Sequence, residues 1–120
     1  MKETYLMILV HKSNFDRLEK ALTTISYEVS ERKELDDNKI LCYVDNFTRL
    51  QDIISVSGFV EGATGAETLI EDWSASDMAQ LTLNKFEALK CSDRELRRIK
   101  REARYWKSAY KLGQMWKESK

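Results

Sequence analysis

The chain opens with an uninterrupted apolar run. Residues 5–10, "YLMILV", show no alternation, which predicts a central strand covered on both faces. Ser13 or Asn14 then offers a helix N-cap. Phe15, Leu18, Leu22 and Ile25 follow at spacings of 3, 4 and 3, one face of a helix. Residues 27–33, "YEVSERK", begin by alternating, with Tyr27 and Val29 against Glu28 and Ser30. The next strand is "KILCYV", residues 39–44. Between the two lies "ELDDNK", whose Asp and Asn tolerate the left-handed conformation that a hairpin turn needs. Phe47, Leu50 and Ile54, with Ile53 beside them, predict a second short amphipathic helix. The β-branched and aromatic "VSGFV", residues 56–60, predicts a fourth strand.

The predicted order is therefore β-α-β-β-α-β over residues 1–75, an α+β chain of the ferredoxin-like type with both helices on one face of one sheet. Its opposite sheet face has to be covered or has to bind something. Residues 76–120 are expected to form a helical, basic extension, packed on that unit or projecting from it. "SASDMAQLTLNKFEALK" reads as one helix, with Ser74 and Asp77 in capping-box spacing. Ser92 and Glu95 make a second such box. From there a helix is expected to run to about Ser119, with Gly113 weakening its last turns. Leu96, Ile99, Ala103, Trp106 and Tyr110 form an apolar seam along it, suited to a partner helix or to the domain. Tyr105, Ala109, Leu112 and Trp116 form a second strip, so this helix has two surfaces to cover.

Charge sharpens the picture of the extension. The net charge is zero, yet residues 93–120 hold ten Lys/Arg against four Asp/Glu, leaving ten against sixteen in residues 1–92. Such asymmetry points to a basic element with a partner of its own. Arg94, Arg97, Arg98, Arg101, Arg104, Lys107 and Lys111 are candidate phosphate contacts to DNA or RNA. Tyr105, Trp106 and Trp116 are candidate rings for stacking on nucleic acid or for burial against a protein. The chain has no proline, so nothing interrupts a long helix here.

Composition excludes other classes. With 42% hydrophobic and 33% charged residues the chain has the make-up of a folded domain. Its longest apolar run is six residues, so no membrane span or signal peptide is expected, and the two cysteines, Cys42 and Cys91, are expected to be reduced in a cytoplasmic protein. His11 is the only histidine. It follows the first strand and is read as a hydrogen-bonded structural residue. There is no G-x-S-x-G, H-E-x-x-H or Walker-type spacing, so no catalytic activity, metal or cofactor is expected. Three of the four glycines, Gly58, Gly62 and Gly65, crowd "GFVEGATG". This stretch lacks the Lys and Ser/Thr of a phosphate loop, and Glu61 and Glu67 would repel phosphate. Its glycines are read as relieving crowding and turning the chain.

The element order and the middle segment together resemble the N-terminal (NGN) domain of NusG-type transcription elongation factors, in an RfaH-like form without the KOW barrel. The family's second helix and fourth strand read approximately W-x-x-V-x-x-V-x-x-V-x-G-F-V/I-x-G. Phe47, Leu50, Ile53, Val56, Gly58, Phe59, Val60 and Gly62 fill that spacing. "LIED", Leu69 to Asp72, stands where the family enters its next helix. The family's F-P-G-Y-V strand entry is reduced to "CYV". The resemblance implies a non-catalytic elongation or antitermination regulator that docks on RNA polymerase through an apolar sheet surface. Tyr43 and Phe59 are then candidate contacts, and Thr48 is a polar contact at the start of the second helix. A compact form without the barrel suits a phage or mobile-element regulator. Without the resemblance, the residues describe a small nucleic-acid-binding or helix-mediated interaction module acting through its C-terminal helix.

Overall fold

A computed structural model describes residues 3–92 and 103–119. Strands β1 (Glu3–His11), β2 (Glu31–Glu34), β3 (Lys39–Val44) and β4 (Glu67–Trp73) form one antiparallel sheet in the order β2-β3-β1-β4. Helix α1 (Phe15–Thr24) joins β1 to β2, and α2 (Leu50–Thr64) joins β3 to β4. Helices α3 (Ala75–Ala79), α4 (Leu83–Ser92) and α5 (Arg104–Glu118) follow.

β1 lies between β3 and β4, with Leu6 opposite Val44 on one side and opposite Ile70 on the other. Its apolar run divides by parity, because successive side chains of a strand point to opposite faces. Leu6, Ile8 and Val10 join Ile40, Cys42 and Val44 in a core under α1 and α2, built with Phe15, Leu18, Leu22, Ile53, Val56 and Val60. Met7 and Leu9 join Leu41, Tyr43 and Leu69 in a second core, closed by Met78, Leu81 and Phe86 from the α3–α4 segment. Both faces of the sheet are thus covered by the chain's own helices, and the apolar sheet surface expected to receive a partner is occupied.

The local chemistry explains the agreements. Asp37 and Asn38 sit at φ 61° and 57°, the left-handed pair of a tight hairpin between β2 and β3. α1 buries Phe15, Leu18, Ala21 and Leu22; of the predicted face, Ile25 lies past the helix end as its C-cap and is only partly buried. His11 caps the short 3-10 turn Lys12–Asn14: its Nδ1 accepts from Ser13 N at 3.2 Å. The Ser74–Asp77 capping box is complete, with Ser74 N donating to Asp77 Oδ2 at 3.0 Å and Asp77 N donating to Ser74 Oγ at 3.3 Å.

Three elements differ from expectation. "VSGFV" is the middle of α2, and the fourth strand is Glu67–Trp73, which includes the "LIED" expected to start a helix. α2 is buried from Ile53 to Thr64 except at its two intermediate positions, Ser55 and Glu61. A helix buried nearly all round carries little 3.6-residue signature, and its Val, Phe and Gly then resemble a strand. Strand β2 is shorter than expected and begins at Glu31, although Tyr27 and Val29 still pack against the core. The single helix expected after Ser74 breaks into α3 and α4. Lys33 Nζ donates to the carbonyls of Ala79 and Leu81 at 2.9 and 2.8 Å, and Tyr43 Oη donates to that of Met78 at 3.2 Å. These side chains take the carbonyls that a continuous helix would use, and Lys85 N donates to Thr82 Oγ1 at 3.2 Å as α4 starts.

Burial pushes the Cys42 thiol from 9.0 up to about 12, with the nearby Arg32 guanidinium pulling the other way. It also raises the Tyr43 hydroxyl from 10.0 to about 12, helped by the Glu31 carboxylate. Both groups stay protonated in the native chain at pH values where the unfolded chain releases their protons. The contribution of these two groups to stability is therefore fully present below about pH 9 and is lost as the pH rises from about 9 towards 12. Iodoacetamide at neutral pH is expected to modify exposed Cys91 and to reach buried Cys42 only in denaturant. Equal labelling of both thiols in the native chain would contradict this assignment.

Candidate nucleic-acid interface

The C-terminal helix reaches its position through glycines. α5 lies on the outer side of α2, away from the sheet, and the two helices run parallel, with Gly58 against Trp106, Gly62 against Tyr110 and Gly113 against Phe59 and Ala63. A Cβ on Gly58 or Gly62 would overlap the backbone carbonyl of Trp106 or Tyr110, respectively. One on Gly113 would overlap the carbonyl of Phe59 and lie 2.8 Å from Ala63 N. Gly58 and Gly62 are four residues apart, as are Ala109 and Gly113. Small residues at that spacing let two helix backbones approach closely, and Cα–H groups facing carbonyl oxygens are the weak hydrogen bonds of such crossings. Phe59, Ala63, Ala21 and Ala109 pack around the contact, with Trp116 at its edge. Gly113 thus holds α5 in place instead of weakening its end. Of this glycine group only Gly65 turns the chain: it caps α2 at φ 70°, with its N–H donating to Glu61 O at 2.9 Å.

This packing sorts the sides of α5. Trp106, Ala109, Tyr110 and Gly113 face inward, and Trp106 and Tyr110 stack with centroids 5.0 Å apart. Ala103 is extended at φ −84°, ψ 113°, so α5 starts afresh at Arg104 and the long helix expected to pass through Ala103 is interrupted there. Arg104, Lys107 and Lys111, at i, i+3 and i+7, share the face turned away from α2. All three are exposed, and none is in an ion pair among the described residues. Beside this row Tyr105, Leu112 and Met115 stay 50%, 57% and 62% exposed. The structure thus brings three of the expected phosphate contacts onto one surface. Arg94, Arg97, Arg98 and Arg101, with Leu96 and Ile99 of the expected seam, lie outside the described residues.

The expected protein contacts scatter. Tyr43 is in the core under α3, its hydroxyl held by Met78 O, and cannot meet a partner from the sheet. Phe59 is buried between α2 and α5, its ring 6.3 Å from that of Trp116. Thr48 is exposed beside the start of α2 and shares the Asp52 carboxylate with Arg49, whose Nη2 donates to it at 3.0 Å. Tyr105 is exposed, while Trp106 and Trp116 are half-buried.

No protein family, curated protein or solved structure matches the chain. Its residues alone therefore carry the functional reading. Among the described residues no group of three or more His, Cys, Asp and Glu could hold a metal ion, and no helix is long and apolar enough to cross a membrane. One polar cluster escaped the sequence reading. Ser57 Oγ lies 2.6 Å from Thr68 Oγ1, which donates to Glu61 Oε2 at 2.7 Å. Ser57 and Glu61 are i, i+4 on α2, the signal that could have paired them. The cluster satisfies two fully buried hydroxyls and ties β4 to α2.

Proposed function

We propose that this chain is a non-catalytic module that binds nucleic acid through the outer face of α5, on a scaffold of the ferredoxin-like type. The observation that carries the reading is the exposed row Arg104, Lys107 and Lys111, without carboxylate partners among the described residues, in a terminal segment with an excess of six positive charges (ten against four). Unpaired guanidinium and ammonium groups in a line suit a phosphate backbone, whose condensed counterions they release. The scaffold reading is supported by the β-α-β-β-α-β order and by antiparallel neighbours in the order β2-β3-β1-β4.

Fluorescence anisotropy with labelled oligonucleotides tests the proposal. Affinity is expected to fall steeply with salt. Replacing Arg104, Lys107 and Lys111 together by Ala should lower the slope of log K against log salt by about 2–3, near one unit per lost phosphate contact. An unchanged slope in the triple variant would sink the reading.

A second reading is contact with RNA polymerase as a NusG-like elongation or antitermination regulator. The same element order speaks for it. Because α3 and α4 occupy the apolar sheet face, such a contact has to use another surface, such as the outer side of α5. Retention on immobilised core polymerase that survives nuclease treatment is the result this second reading requires, and loss of retention on treatment returns the activity to nucleic acid.

A further inference from the structure

α1 and α5 border a groove of about 900 Å³ that the function proposed above leaves unused. Its lining includes Arg17 and Lys20 from the outer side of α1, the hydroxyls of Ser13, Thr23 and Thr24, and the indole of Trp116. Trp116 is held in place from behind, because its ring packs against Phe59 and the alanines where α1, α2 and α5 meet. Tyr105 and Leu112 are eleven and four residues before Trp116 and so lie on the same line along α5. Trp116 lines the groove, and Tyr105 stands about 16 Å from it along the same side of α5, outside the lining. The opposite wall presents two cations, and neither Arg17 nor Lys20 is in an ion pair among the described residues. On the other side of the Tyr105–Leu112 line runs the row Arg104, Lys107 and Lys111.

We infer that this groove and the adjoining exposed side of α5 bind single-stranded nucleic acid, with bases stacked along the Tyr105–Leu112–Trp116 line and phosphates held by Arg17 and Lys20. The inference rests on the nucleic-acid reading of α5 and narrows it to a strand type. Three features select a single strand. Rings placed in line along one side of a helix can reach only bases that are free to splay out, and duplex bases are already stacked on one another. The lining is polar, and because Thr23 and Thr24 already donate to the Glu19 and Lys20 carbonyls at 2.9 Å each, their oxygens offer acceptors to base and sugar donors, which an apolar protein helix does not bring. Glu19 also lines the groove, so Arg17 and Lys20 leave a local excess of one positive charge. Stacking must then supply much of the affinity, and a small free anion gains little there.

The test uses the full chain with a labelled 12-nucleotide oligothymidine and a 12-base-pair duplex, both at 50 mM salt. Oligothymidine is expected to bind at least about tenfold tighter than duplex. Tyr105→Ala, a change at an exposed ring that leaves the core intact, should weaken oligothymidine by about 5- to 100-fold and leave duplex affinity unaltered. Arg17→Ala with Lys20→Ala should lower the salt slope for the single strand by about 1.4, two contacts at roughly 0.7 each. Equal affinity for both ligands with no effect of Tyr105→Ala overturns the groove while leaving the α5 row standing. Absence of binding to either ligand overturns both.

Discussion

Gly113→Ala lowers the stability of the chain by about 1–3 kcal/mol net, although alanine is the better helix former. In an exposed helix the exchange gains close to 1 kcal/mol. Here the added methyl meets the Phe59 carbonyl and lies 2.8 Å from Ala63 N, and both are backbone atoms of a buried helix. Backbone cannot swing aside like the end of a side chain, so α5 has to lift from α2 along its length. That movement opens the contact of Phe59, Ala63 and Ala109 and the stacking around Trp106. Gly58→Ala and Gly62→Ala act on the same contact from the other side, against Trp106 and Tyr110. The three changes should therefore be less than additive: once one methyl has separated the helices, the next meets little. Urea unfolding followed by circular dichroism reads all of this. Gly65→Ala is the internal comparison, since a Cβ there meets open space and its cost comes from φ 70° alone. A Gly113→Ala chain more stable than the parent would show that α5 does not sit on α2 as described.

The same glycines show where the sequence was readable and where it was not. The two inner strands, α1, the Asp37–Asn38 turn and the Ser74 capping box were legible because each is written in local chemistry: continuous apolar residues, a 3.6-residue stripe, left-handed turn formers, a reciprocal cap. α2 was not. Its side chains face the sheet on one side and α5 on the other, so the polar stripe that would betray a helix is missing, and Val56, Gly58, Phe59 and Val60 pass for a strand. The resemblance to NusG-type factors was read through those residues as a helix-to-strand unit, and they lie within one helix. Sheet faces posed a different difficulty. Alternation along "KILCYV" separates Tyr43 from Cys42 but cannot say that α3 and α4, forty residues on, cover the Tyr43 side. Of the candidate interface, the basic row of α5 was legible from spacing alone. The groove was not, because Arg17, Lys20 and Trp116 are about a hundred residues apart and meet only through the glycine contact that sets α5 beside α1.

Phe86→Ala should cost about 3–5 kcal/mol, the largest effect of any single truncation considered for this chain. Phe86 is the largest of the fully buried side chains among the described residues, and in the second core it closes Met7, Leu9, Leu41 and Leu69 from below the sheet. The other apolar holds of α4 on that face, Leu83 and Leu89, are only partly buried. Lys90 pairs with Glu67 at 3.0 Å, a contact with about a third of each side chain exposed, and such pairs are worth about 1 kcal/mol or less. Truncating the ring leaves a cavity that a short helix can relieve by lifting away, which would uncover Met7, Leu41 and Tyr43 to solvent. The variant is therefore expected to show a lower urea midpoint and to gain binding of a hydrophobic dye under native conditions. Lys90→Ala should change neither by much. The outcome also bears on how the protein meets its partners. If Phe86→Ala were stable and dye-silent, Phe86 would not be what holds α4 on the sheet. A strongly destabilised variant means that the face is permanent core, and that any recognition runs over the rest of the surface.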